Sequence, residues 1–235
     1  MPVSSRWLLP LLSLLSALLL APTAAAQCRD NVVLVHGNAR YPSDFNITLN
    51  ELYWRGYSSS QIYTPSWGSK SCPACNDHSG SEETPVRNAL TSAIANSCTG
   101  KVDVIAHSMG VTLAAKQILD LGLASKVHTF IGIAAGYRGL WSCGQYPYNV
   151  ANSTCGAWGL SVNSPFLNSI QGGTLGQDVY SFYSWQDEIV CATGVCTVGG
   201  VHSSRIPGAD ADYVWALGHF NLLYYTDDTQ ADLIQ

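Results

Sequence analysis

Between residues 102 and 121 the chain passes from a short β-rich apolar run, through Ala106-His107-Ser108-Met109-Gly110, into a stretch of helical composition that Gly122 ends. This junction constrains the fold more tightly than any other segment. A strand that turns directly into a helix brings the two backbones almost into collision, so the residues two before and two after the turn must be small. Ala106 and Gly110 satisfy that condition and leave the Ser108 hydroxyl exposed at the apex. Strand, tight turn and helix in that order form the unit from which parallel sheets are built.

The remainder of the chain alternates in the same way. Residues 31–35, 101–106, 128–134 and 179–184 are short apolar runs suited to strands covered on both faces. Residues 61–64 form a candidate edge strand ended by Pro65, and 213–215 a last strand. Helices are expected over 48–54, from Thr84 as N-cap and Pro85 as first helical residue, and over 109–121. The expected fold is therefore α/β, a mostly parallel sheet with helices on both faces in one domain. The 44 residues 135–178 are rich in Gly, Asn, Ser and aromatics. Most connections run about 4–6 residues, so this segment is expected to carry function.

Residues 1–26 stand apart, with a single charge at Arg6, an apolar run over 7–20 broken by Pro10, Ser13 and Ser16, and a small-residue stretch ending Ala24-Ala25-Ala26. This is the pattern of a secretory signal peptide, and the run falls short of the roughly 20 residues a membrane span needs. The mature domain is expected to be 27–235, secreted, without integral membrane contact and monomeric. Only 11% of residues are charged and the net charge is −5, which leaves no basic footprint for nucleic acid. At 47% apolar and 10% aromatic the composition also excludes a disordered chain.

All eight cysteines lie past residue 26, and an even set in an oxidising compartment points to disulfides. Cys72-Pro-Ala-Cys75 has no second pair at ligand spacing, so no metal site is expected. Proximity pairs Cys191 with Cys196, Cys143 with Cys155 and Cys72 with Cys75. Elimination leaves Cys28 with Cys98, which precede the strands at 31 and 101 and so emerge at one edge of a parallel sheet. Asn46-Ile-Thr and Asn152-Ser-Thr are glycosylation sequons.

A serine becomes a nucleophile only when a base takes its proton, and after a nucleophile turn of this type the acid and the histidine follow in that order. Asp187 lies just beyond the carboxyl end of the 179–184 strand, where open parallel sheets place their sites. Asp178 sits at the opposite end of that strand, and Glu188 is expected to point elsewhere. Downstream of Asp187 the histidines are His202 and His219. His219 follows the last strand in Gly218-His-Phe220, whereas His202 lies among glycines and serines with no strand before it, so His219 is the expected base. His36, His78, His107 and His128 take structural readings. The tetrahedral oxyanion needs two backbone donors, expected from Met109 and, after Gly37, from Asn38.

At these residues the chain resembles the α/β-hydrolases. Val102-Asp-Val-Ile-Ala-His-Ser-Met-Gly-Val111 and Val35-His-Gly-Asn38 are similar to the small, lidless class 2 bacterial lipases. Gly136-Tyr-Arg-Gly-Leu-Trp-Ser-Cys143 and Cys191-Ala-Thr-Gly-Val-Cys196 look more like the extracellular polyhydroxybutyrate depolymerases of the same fold. The resemblance implies a minimal α/β-hydrolase fold without a large lid domain. It implies a serine carboxylic ester hydrolase that needs no metal or organic cofactor, with Ser108, Asp187 and His219 as its triad. Lipid-like or short-chain acyl esters are the expected substrates, polyester the alternative and a catalytically inactive binding module the remote one. Tyr137, Trp141 and Trp185 are candidate substrate contacts. The aromatics of 135–178 either line an acyl or polymer groove or pack a long loop.

Overall fold

The structure is a computed structural model that describes residues 28–234. The expected signal peptide lies outside the described residues. A six-stranded parallel sheet forms the centre, built from β1 (Asn31–Val35), β2 (Ile62–Tyr63), β3 (Val102–His107), β4 (Val127–Ile133), β7 (Asp178–Tyr183) and β10 (Ala211–Val214). Spatial order is β10-β7-β4-β3-β1-β2. All five residues of β1 and all six of β3 are buried, as expected of predominantly apolar strands covered on both faces, and the buried set includes the polar Asn31, Asp103 and His107.

Successive residues of each strand point to opposite faces, and two cores follow from that alternation. Val33, Val35, Val104 and Phe130 pack under α2 (Glu83–Asn96), α3 (Met109–Asp120) and α4 (Pro165–Ile170). Val32, Leu34, Ile105 and Ile131 pack under α1 (Asn46–Trp54), α5 (His219–Tyr224) and α6 (Asp227–Asp232). α2 and α4 flank α3, so α3 buries every residue from Met109 to Ile118.

The chain leaves β1 toward β2 on one side and returns to β3 on the other. The crevice beyond the carboxyl ends of β1 and β3 is thus the topological switch point, where sheets of this kind bind ligands. Ser108 follows β3 there, and Gly37-Asn38 lies in the loop after β1.

Local details differ from the sequence expectations. α2 begins at Glu83, after a 3₁₀ turn over Gly80–Glu82. Thr84 therefore does not cap it, and Pro85 is accommodated in a first turn whose amides have no intrahelical partners anyway. Residues 135–178 are no bare loop: they contain β5 (Leu140–Gln145) paired with β6 (Ser161–Val162), and α4. His202 does lie in a strand, since β8 (Thr197–Val198) and β9 (Val201–His202) form a small hairpin. Disulfides join Cys28 to Cys98, Cys72 to Cys75, Cys143 to Cys155 and Cys191 to Cys196. Asn46 is exposed at the start of α1, while Asn152 uses its side-chain oxygen to accept the Cys155 N–H.

Candidate active site

Ser108 has φ 55° and ψ −131°, a left-handed conformation that a side-chain-bearing residue adopts only when its surroundings impose it. Here β3 and α3 impose it. A Cβ on Gly110 would stand 2.3 Å from the carbonyl oxygen of His36 and 2.7 Å from that of Val35, so α3 begins against the end of β1 only because position 110 has no side chain. Gly37 likewise brings the β1 loop against the serine, because a Cβ there would lie 3.0 Å from Ser108 Cβ.

The structure brings Ser108, His219 and Asp187 together in one line. His219 Nε2 is 2.9 Å from Ser108 Oγ, and His219 Nδ1 is 2.8 Å and 3.0 Å from the two carboxylate oxygens of Asp187. A carboxylate only accepts, so Nδ1 carries the proton and Nε2 is free to receive one. Asp187 is fully buried, and its Oδ1 also accepts the Ile189 and Val190 amides at 2.9 Å each. These bonds fix the orientation of the carboxylate toward the imidazole. The arrangement has the parts a serine hydroxyl requires to become nucleophilic.

His202 is committed elsewhere. Its Nδ1 accepts the Ser204 amide at 3.1 Å and its Nε2 donates to the Ser184 carbonyl at 3.1 Å, while its ring stacks on Tyr183. Burial pushes it below the usual histidine range, so it stays a neutral structural group. His36 is also neutral, its pKa lowered to about 4 chiefly by burial. It donates from Nδ1 to Gly37 O at 2.8 Å and accepts the Trp67 amide at Nε2. His78 is buried against Phe166, with its pKa lowered to about 3 by desolvation. His128 pairs with Asp30 near the start of β4, at the far end of the sheet.

Met109 opens α3, where the first amides have no intrahelical acceptors and the helix dipole is positive. Asn38, the other candidate donor, lies in the loop after β1, and its side chain anchors that loop. Asn38 Nδ2 donates to Pro73 O at 3.0 Å, and its Oδ1 accepts from Asn76 Nδ2 at 2.7 Å. Asn76 is fully buried and also accepts the Ser69 amide. The Cys72–Cys75 segment thereby braces the candidate oxyanion loop, a role no sequence pattern indicated.

Of the candidate substrate contacts, Tyr137 is misassigned. It is 1% exposed and its hydroxyl donates to Ile170 O at 3.2 Å, so it packs the core beneath α4. Trp141 is half-buried and donates its indole N–H to Thr197 O at 2.8 Å, which makes it a strut between β5 and the β8–β9 hairpin. Trp185 is 56% exposed, two residues before Asp187, with its ring edge against His202. Glu188, beside the acid, is directed to the main chain and not to the ring: its Oε2 accepts the backbone N–H of His219 at 2.9 Å.

A six-stranded parallel sheet with helices on both faces, a serine on a strand-to-helix turn, an acid on a later loop and a histidine at the start of a later helix define an α/β-hydrolase. Residues 29–232 match the family model of class 2 lipases. The chain belongs to that family, and among the described residues there is no separate lid domain. Among solved structures, it resembles the mature form of Bacillus licheniformis lipase BlEst2 at TM-score 0.63 and 14% identity, covering 88% of this chain and 92% of that one. It also resembles Aspergillus fumigatus lipase B at TM-score 0.59 and 18% identity, covering 83% of this chain but spanning only 49% of that one. A comparison with curated protein sequences finds no significant match.

Proposed function

We propose that the protein is a secreted serine carboxylic ester hydrolase. The observation that carries this reading is the unbroken hydrogen-bonded line from Ser108 Oγ through His219 to the buried Asp187. Ser108 Oγ attacks the ester carbonyl while His219 Nε2 takes its proton, and the new C–O bond leaves negative charge on the carbonyl oxygen. The amides of Met109 and Asn38 stabilise that oxyanion. Collapse breaks the bond to the alcohol, which leaves with the proton from His219, and water then repeats the sequence on the acyl-enzyme. Asp187 holds the imidazole in the required tautomer throughout.

Four disulfides support an oxidising compartment, and among the described residues no helix is long and apolar enough to cross a membrane. The exposed ring of Trp185, two positions from the acid, supports acyl chains of lipid-like or short-chain esters as the recognised group. Ser108→Ala should retain the wild-type circular dichroism spectrum and lose roughly 10⁴-fold or more in rate on nitrophenyl butyrate. A fluorophosphonate should label the wild type and not the variant. Hydrolysis by the variant would overturn the assignment, and a comparison of tributyrin with polyhydroxybutyrate film separates lipid ester from polyester.

A further inference from the structure

Resting on the reading of Ser108, His219 and Asp187 as catalytic, we propose that Glu188 is a positioning residue that fixes the backbone of His219 and so sets the turnover rate. His219 needs such support because it is the first residue of α5, a helix of six residues, and the leading amide of a helix has no intrahelical partner. Its imidazole is held by Asp187 and Ser108, yet a ring held only at its nitrogens still shifts if its Cα shifts. Glu188 supplies the missing restraint by accepting the His219 N–H in a charge-assisted bond of 2.9 Å.

Gly218 provides an independent sign that the site is built around this contact. Its φ of −73° and ψ of 170° are open to any residue, so the backbone does not call for glycine. The neighbour is the carboxylate itself: a Cβ on Gly218 would lie 2.7 Å from Glu188 Oε2 and would displace it from its present position. The restraint is completed from the other side, where His107 Nε2 donates to the His219 carbonyl at 3.1 Å. That bond needs a proton on His107 Nε2, and burial holds this imidazole well below the range in which it would gain a second one. Asp187 and Glu188 are neighbours in sequence, so one short loop fixes both the ring and the main chain of the base. The Cys191 amide bonds back to Asp187 O at 2.9 Å, and Cys191 is in turn bridged to Cys196.

Steady-state kinetics on nitrophenyl butyrate test this. Glu188→Ala should lower kcat by about 10- to 100-fold, the scale expected when a reacting group drifts by a fraction of an ångström to an ångström, with KM unchanged. Labelling by the fluorophosphonate should slow by the same factor. Glu188→Gln retains an acceptor and should recover most of the rate. Gly218→Ala should push the carboxylate away and reproduce the Glu188→Ala loss, and in the Glu188→Ala background it should cost nothing further. Wild-type kcat in Glu188→Ala, or independent and multiplicative losses in the double variant, would overturn the proposal. Activity in Ser108→Ala would instead overturn the catalytic reading beneath it, so the two failures are distinct.

Discussion

Replacing Cys28 and Cys98 together by serine removes a crosslink between residues 70 positions apart. Both cysteines are exposed, so little packing is lost and the effect falls mainly on the unfolded chain. In the chain-entropy description a loop of that length contributes about 4 kcal/mol, whereas the Cys191–Cys196 loop, with a separation of 5, contributes about 2 kcal/mol. For a domain of this size each kcal/mol corresponds to roughly 2–4 °C of unfolding midpoint. Cys28→Ser/Cys98→Ser should therefore lower Tm by roughly 10 °C, and Cys191→Ser/Cys196→Ser by roughly half as much. Scanning calorimetry of the two double variants at one pH measures this. The first bridge ties down the ends from which β1 and β3 start, while Ser108 lies past the opposite end of β3, about 20 Å away at the usual strand rise. At 25 °C the first variant should keep its kcat/KM. An equal or larger Tm loss from the Cys191–Cys196 pair would refute the loop-entropy reasoning, and a large kcat/KM loss from the Cys28–Cys98 pair would refute the separation of that edge from the site.

Gly110→Ala should cost at least 10²-fold in activity, or prevent soluble expression, because the added carbon meets the backbone of β1, which cannot move aside; a normally active variant would show that the turn is looser than described. Tyr137→Phe should lower stability by about 1 kcal/mol through loss of the bond to Ile170 O, with KM unaffected, whereas Trp185→Ala should raise KM for longer acyl chains; urea denaturation and a chain-length series check the pair. His36 and His78 are held neutral in the folded state, with pKa values of about 4 and about 3, against 6.5 for the free group. Below pH 6.5 the unfolded chain thus binds more protons, so their contribution is complete above that pH. It is lost as pH falls toward 4, at about 1.4 kcal/mol per pH unit for each histidine. Urea midpoints that stay level between pH 7 and 5 would contradict this.

The central architecture was legible because it depends on local rules. Buried parallel strands are predominantly apolar and β-branched or aromatic, and the runs at 31–35, 101–106, 128–134 and 179–184 lie within two residues of β1, β3, β4 and β7. The turn at Ser108 needs small neighbours whatever surrounds it, which is why five residues sufficed to locate it. Chain order then selected Asp187 and His219, since a parallel sheet delivers the carboxyl ends of successive strands to one edge. His219 was separable from His202 by its place after the last strand, although the small β8–β9 hairpin that holds His202 was invisible in two-residue strands.

What depended on contacts between distant segments was not legible. An aromatic in a long connection has the same local sequence whether it faces substrate or core, and only the position of α4 decided that Tyr137 is buried. Glu188 gave no signal because its partner is a backbone amide 31 positions away, and every residue except proline carries such an amide. The brace on the β1 loop likewise joins Asn38 to Asn76 and Pro73 across more than thirty positions. The sequence by itself determined the sheet, the nucleophile turn and the order of the three site residues, because each follows from neighbours along the chain. The tertiary structure alone decided which side chains hold those residues in place, because hydrogen bonds to the main chain leave no pattern in the residues that donate or accept them.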